Sequence, residues 1–237
     1  MDSGRGVWLI IGVQAAGKST VADLLAHRLG RSVHVRGGQF YRWAVDGWVH
    51  PTGGSTMPSE ARRLLDLRYR LSALVADEYA EAGFTAVVQD NVFGADVVAW
   101  LERVRSRPRH LVVLCPSVEA VTERDAARQR ERGKIAYRPG EFTIDGLDAE
   151  LRATPRLGLW LDTSLQTPGQ SVDEIVARAA EAVVAEPDAG CRSDVTGGDS
   201  AGPQSHLHSR QTHSGHTAAG PSRQQRQQPV NALLSPA

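Results

Sequence analysis

Along the first three quarters of the chain, short unbroken apolar runs alternate with longer stretches whose apolar positions recur every three to four residues. The unbroken runs predict strands buried on both faces at Val7–Gly12, Ser32–Val35, Thr85–Asp90, His110–Cys115 and Leu157–Asp162. The periodic stretches predict helices at Lys18–Leu29, Pro58–Ala82, Ala95–Arg105, Val118–Arg130, Ile144–Ala153 and Val172–Ala185. In the first of these, Val21, Leu24, Leu25 and Leu29 form the expected apolar face. Strands built from Val, Ile and Leu and separated by helices indicate an α/β fold, a parallel sheet covered on both sides. No internal repeat is present.

The pattern stops near residue 185. Residues 186–237 are rich in Gly, Ser, Gln, Pro and His, and so few large apolar side chains cannot offset the entropy of ordering them. The expected organisation is one domain over 1–185 followed by a disordered low-complexity tail. His206, His208, His213 and His216 lie in that tail without a carboxylate or cysteine spaced to complete a metal site.

Charge adds an exclusion. Lys and Arg total 27 and Asp and Glu total 27, so no net field points to nucleic acid or an anionic membrane as partner. The longest early apolar run, Val7–Ile11, is too short to span a bilayer, and two cysteines, Cys115 and Cys191, make no disulfide framework. A cytoplasmic protein, monomeric or homodimeric, is expected.

The chemistry starts where the first strand meets the first helix. Gly12-x4-Gly17-Lys18-Ser19 is a P-loop pattern in the strand-to-helix context that such a loop requires. Gly12, Val13, Gln14, Ala15, Ala16, Gly17, Lys18, Ser19 and Thr20 are the candidate nucleotide-binding residues. Glycines let successive amides turn inward, the helix N-terminus adds partial positive charge, Lys18 reaches the terminal phosphates, and Ser19 ligates Mg²⁺. Basic positions here are nearly all arginine, and Lys18 is a rare exception shared with Lys134. A compact ammonium fits among phosphate oxygens where a guanidinium does not.

Asp90 closes the third predicted strand, where a P-loop protein keeps the acid that orients Mg²⁺; the alternative is a cap on the strand or the following turn. Asn91 follows it, and an amide has no basic electron pair with which to activate water, which disfavours an ATPase. Asn91 and Asn231 are the sole asparagines, so no Asn-Lys-x-Asp guanine reader exists and ATP becomes the default donor. Arg124 and Arg128 lie one helical turn apart in an arginine-rich stretch that also holds Arg130, Arg132, Lys134 and Arg138. Such a stretch suits a lid that stabilises a transferring phosphoryl group, and it suits a solvated face balanced by Asp125 and Glu131.

Together the P-loop, the Asp90-Asn91-Val92-Phe93 segment and the Arg124-x3-Arg128 pair resemble the chloramphenicol phosphotransferase-like P-loop kinases, relatives of the shikimate and adenylate kinases, over about residues 5–185. The resemblance implies a P-loop NTPase three-layer sandwich with a five-stranded parallel sheet, ATP and Mg²⁺ as cofactors, and transfer of the γ-phosphate to a hydroxyl of a small molecule. On that basis Lys18, Asp90, Arg124 and Arg128 are the candidate catalytic residues, with Ser19 and Asp90 for the metal. One departure stands out. Such kinases usually place an aspartate after the second strand as acceptor-side base, and here that place holds Gly38, preceded by Gly37.

Two accounts stay open at this point. Phosphoryl transfer through a loose transition state asks little of a base, and Asp46 or Asp90 is available to replace it. Alternatively the protein binds ATP without transferring it, as a regulator. Phe40, Tyr41, Trp43 and Trp48 beside Arg36 and Arg42 form either an acceptor-stacking wall or the packing face of a mobile helix. His34 reads as a partly buried strand residue, and His50 precedes Pro51 in a turn.

Overall fold

Five parallel strands carry the architecture: β1 (Val7–Gly12), β2 (Ser32–Arg36), β3 (Thr85–Gln89), β4 (Arg109–Leu114) and β5 (Leu159–Leu161). In this computed structural model, which describes residues 6–49, 51, 57–133, 137 and 142–185, they pair in the order β2-β3-β1-β4-β5. Strand composition sets strand position. Every residue of β1 and β4 is buried, and β1 lies between β3 and β4, with Val7 opposite Ala86 on one side and Arg109 on the other. The edge strand β2 tolerates Ser32, His34 and Arg36 because one flank is unpaired. Trp8 and His110, neighbours across the sheet, stack with ring centroids 3.9 Å apart.

The helices are α1 (Lys18–Arg28), α2 (Gly37–Arg42), α3 (Ser59–Glu81), α4 (Ala95–Arg103), α5 (Val118–Arg132), α6 (Ile144–Arg152), α7 (Pro168–Ala177) and α8 (Ala179–Ala182). The three-layer sandwich with a five-stranded parallel sheet is therefore the observed fold, and every predicted strand and helix has a counterpart within a few residues.

Three local differences have physical reasons. Leu24 is not on the buried face of α1; it is 40% exposed, and Ala22 and Ala26 complete the face with Val21 and Leu25. Small side chains there bring the helix close to the sheet, and the period of 3.6 carries position 24 to the flank. The glycine pair that opens α2 disfavours helix locally, yet Phe40 is buried in the core and α2 packs on α3, so tertiary contact outweighs propensity. The last predicted helix starts early, at Pro168, because Thr167 and Gln170 form a reciprocal capping box, and it breaks at Arg178.

Among the described residues no helix is long and apolar enough to cross a membrane. The tail expected from residue 186, and also Lys134, Arg138 and His50, lie outside the described residues.

Candidate active site

The loop after β1 is held by its own backbone. Ala16 donates its N–H to the Val13 carbonyl, and Gly17, at φ +94°, turns the chain into α1. Gly12 has no room for a side chain, since a Cβ there would lie 2.6 Å from the Leu114 carbonyl oxygen of β4. Ala15 takes a left-handed φ of 62°, a conformation that costs a non-glycine residue roughly 1 kcal/mol or more and tends to cluster at functional sites.

Side-chain caps are present on α5, α6 and α7, and α1 shares with α2, α3, α4 and α8 an N-terminus without one. Ser117 caps α5 by accepting from the Ala120 N–H, and Thr167 caps α7 by accepting from Gln170, whereas no side chain caps α1. The Thr20 N–H already donates to the Gly17 carbonyl at 3.1 Å, and the amides ahead of it, with the helix dipole, face the space where an anion would sit. Lys18 is buried beside them and donates to the Val13 carbonyl at 2.7 Å. Burial, and then the charges of Arg68 and Arg128, lower its pKa to about 7.

Around this loop lies a cavity of about 950 Å³ lined by residues 14–20 and by five arginines, Arg36, Arg42, Arg68, Arg124 and Arg128, against one carboxylate, Asp90. The excess of positive charge suits a polyanion such as a triphosphate. The nine loop residues anticipated from the sequence divide, with Gly12 and Val13 buried beneath the loop and the other seven lining the cavity.

The two anticipated lid arginines differ in their present engagement. Arg124 is tied to the segment after β5, donating to the carbonyls of Thr163 and Ser164 and to the Thr163 hydroxyl. Arg128 bonds Asp125 at 2.7 Å, and its Nε is buried with no hydrogen-bond partner among the described residues. Tyr137 reaches the loop from beyond α5, donating its hydroxyl to the Gln14 carbonyl at 2.8 Å.

Asp90 follows β3 with a side chain that is fully buried. Arg68, from α3, forms an ion pair with it and donates from Nε at 2.9 Å; the Asn91 N–H adds a bond at 2.6 Å. The guanidinium of Arg68 lies over the Tyr41 ring, 4.5 Å from its centroid. Sequence reasoning missed Arg68 among the many arginines of that helix. One signal was present: position 68 continues the buried stripe of Ala61, Leu65, Ser72 and Ala76, where an arginine needs a partner.

The glycine pair after β2 is asymmetric. A Cβ at Gly37 would fall within the Asp90 carboxylate, whereas one at Gly38 would meet nothing within 4 Å. Asp46 is exposed, binds the Gly47 N–H, and is absent from the residues lining either cavity described in this section.

Beyond Arg68 a second cavity of about 630 Å³ opens, and Gln14, Arg68 and Asn91 line both. The aromatic cluster divides between its two anticipated readings. Phe40 is buried packing and Trp43 is 66% exposed, while Tyr41 faces the second cavity with Trp48 tilted against it at 3.6 Å. His34 is a half-buried strand residue in contact with Asp23, and Arg36 and Arg42 face the first cavity instead.

Among the described residues no three His, Cys, Asp or Glu side chains gather into a metal site. Ser19 and Asp90 do line the same cavity. One hydroxyl and one carboxylate is the small donor set that suffices for Mg²⁺ arriving on a phosphate chain with its own waters.

Residues 7–148 match the model of the AAA domain family. Among solved structures, the chain is similar to a sugar kinase from Janibacter sp. HTCC2649, with 18% identity, TM-score 0.54, and coverage of 75% of this chain and 96% of that one. It is similar to a putative kinase from Chloroflexus aurantiacus, with 16% identity, TM-score 0.52 and coverage of 76% and 98%. A third is the tunicamycin resistance protein of Deinococcus radiodurans, at 18% identity, TM-score 0.51 and coverage of 77% and 99%. At such identities the likeness is one of fold. No curated protein matches the sequence.

Proposed function

The chain belongs to the AAA domain family, and from that premise we propose that it is an ATP-dependent phosphotransferase that moves the γ-phosphate of ATP to a hydroxyl of a small molecule, within the chloramphenicol phosphotransferase-like branch. One observation carries the reading: a cationic cavity around an uncapped helix N-terminus is joined, at Gln14, Arg68 and Asn91, to a second cavity of acceptor size.

In this reading the amides of Gln14, Ala15, Ala16, Gly17 and Lys18 bind the phosphates. Lys18 exchanges the Val13 carbonyl for a phosphate oxygen and regains its proton. Ser19 and Asp90 are the protein oxygens for Mg²⁺, which when bound neutralises charge on the phosphate chain. Arg128, and Arg124 once released from Thr163, lie over the transferred group. The bond from the γ-phosphorus to its bridging oxygen breaks as the acceptor oxygen bonds to phosphorus, giving ADP and a phosphate ester. Because that transition state is loose, the acceptor proton leaves late, and positioning with charge stabilisation outweighs a base. The P-loop kinase-like domain of this reading spans residues 1–185, working in the cytoplasm as a monomer or homodimer.

A second reading, an ATP-binding regulator, is favoured by one observation: Arg68 occupies the Asp90 carboxylate and neither residue 37 nor 38 offers another. Incubating the protein with γ-labelled ATP, Mg²⁺ and a panel of alcohols separates the cases. A labelled ester is the expected product. Labelled inorganic phosphate alone would indicate an ATPase, and retained intact ATP a regulator.

A further inference from the structure

A hydrogen bond reaches the phosphate loop from beyond α5. Tyr137, 123 positions along the chain from Gln14, donates its hydroxyl to the Gln14 carbonyl at 2.8 Å. Its side chain is partly buried and packs against the core, so the hydroxyl arrives from a fixed direction. Burial, and then the Asp125 carboxylate, raise the pKa of the phenol, which therefore keeps its proton and stays a donor.

The bond acts on a peptide whose orientation matters to an anion. Gln14–Ala15 is trans, the bond between Arg107 and Pro108 being the one cis peptide among the described residues, so the Gln14 carbonyl and the Ala15 N–H point in opposite directions. Gln14 and Ala15 line the phosphate cavity, and Tyr137 is not among its lining residues. With the carbonyl drawn to Tyr137, the Ala15 N–H is turned the other way, and among the described residues nothing accepts a hydrogen bond from it. Ala15 itself opposes this arrangement. Its φ of 62° is left-handed, and an alanine released from it would return to the right-handed or extended region and rotate the peptide. The penalty for that conformation and the net worth of one hydrogen bond are of similar size, so a single hydroxyl can decide the balance.

We infer that Tyr137 is a positioning residue for nucleotide binding: its hydroxyl holds the Gln14–Ala15 peptide in a left-handed turn that aims the Ala15 N–H at a phosphate oxygen. The inference rests on the nucleotide-binding reading of the loop, and its test reads binding rather than turnover.

The test uses the full chain with Mg²⁺ and the β,γ-imido analogue of ATP, which is not hydrolysed. Affinity is read by titration calorimetry, and the Ala15 N–H by assigned ¹H–¹⁵N spectra. In the unaltered protein the analogue should move the Ala15 proton downfield, as a charge-assisted hydrogen bond to phosphate requires. Tyr137→Phe keeps the ring and loses the hydroxyl; it should weaken the analogue about fivefold and diminish that shift at saturation. In an Ala15→Gly background, where the left-handed turn carries no Cβ penalty, the same substitution should cost less than about twofold. A merely structural role would give equal losses in the two backgrounds.

An Ala15 signal that stays in place while the analogue binds the unaltered protein would overturn the inference and leave the nucleotide reading standing, a result that needs no variant to fold. Equal losses in both backgrounds, or an unchanged affinity in Tyr137→Phe, would do the same. Failure of the unaltered protein to bind the analogue would bring down both.

Discussion

Two cavities share a wall made by Arg68, Gln14 and Asn91, and they differ in the charge and polarity of the residues that line them. On the P-loop side, five arginines and Lys18 face one aspartate, and the first amides of α1 carry no cap. On the other side, Arg62 is held by Asp66 and Asp96, and aromatic and aliphatic side chains dominate. The first side has an excess of positive charge in its lining that suits an anionic ligand, although Arg68 is paired with Asp90, Arg128 with Asp125, and Arg36 lies 3.6 Å from Asp23. The second has engaged both of its arginines internally, keeps Glu150 without an ion pair among the described residues, and leaves mainly apolar surface to cover. A protein that must bring a polyanion next to an alcohol benefits from this division, because each ligand is disfavoured in the other's place.

The shared wall gives the largest expected effect. Arg68→Met strips the buried Asp90 carboxylate of its charged partner and should cost about 3 to 5 kcal/mol of stability, read from the denaturation midpoint. Adding Asp90→Asn should recover much of it. Two additive losses would mean that the ion pair does not unite the two sides.

Lys18→Ala tests the anionic side alone. Turnover should fall on the order of a hundred- to a thousandfold, with ATP binding lost in titration calorimetry. Unaltered ATP affinity and turnover would refute the phosphate-cradle assignment.

The glycine pair gives an internal control. Gly37→Ala pushes against the Asp90 carboxylate and should destabilise the fold by about 1 to 3 kcal/mol, whereas Gly38→Ala should be near neutral. Gly38→Asp places a carboxylate in open space where the acceptor-side base is missing, and a rise in kcat would identify proton removal as a limiting deficit.

Proton linkage sharpens the comparison further. With its folded pKa lowered to about 7 from an ordinary 10.5, Lys18 in the free protein is largely neutral at pH 8.5. Phosphate binding restores its charge, so ATP should bring in up to one proton at pH 8.5 and little at pH 6, measured by calorimetry in buffers of different ionisation enthalpy. The sign for stability follows from the same shift: between pH 7 and 10.5 the unfolded chain holds the proton that the folded chain has released, so this contribution grows as pH rises through that window. Smallest of all, Ala15→Gly removes the left-handed penalty and should stabilise the protein by up to about 1 kcal/mol.

Legibility in the sequence followed the range of the interaction. The P-loop, its preceding strand and the helix it opens were readable because one contiguous stretch carries both the pattern and its reason. Asp90 was readable as the end of an apolar run, but its ion pair with Arg68 was not, since 22 positions and a long helix separate them. Arg124 and Arg128 were recognised as a pair from their spacing. Their separate engagements, with the segment after β5 and with Asp125, depend on packing that spacing does not encode. Leu24 was misplaced because a leucine weighs more in a periodicity count than the alanines that face the sheet.

By itself the sequence determined the sheet, its helical cover and the phosphate loop, because hydrophobic period and turn chemistry are local properties of the chain. The tertiary structure alone decided which charges stay available. Whether a guanidinium awaits a ligand or is neutralised by a carboxylate depends on distances of a few ångströms between segments remote in sequence, and for Arg62, Arg68 and Asp90 those distances exist only once α3 lies against β3 and α4.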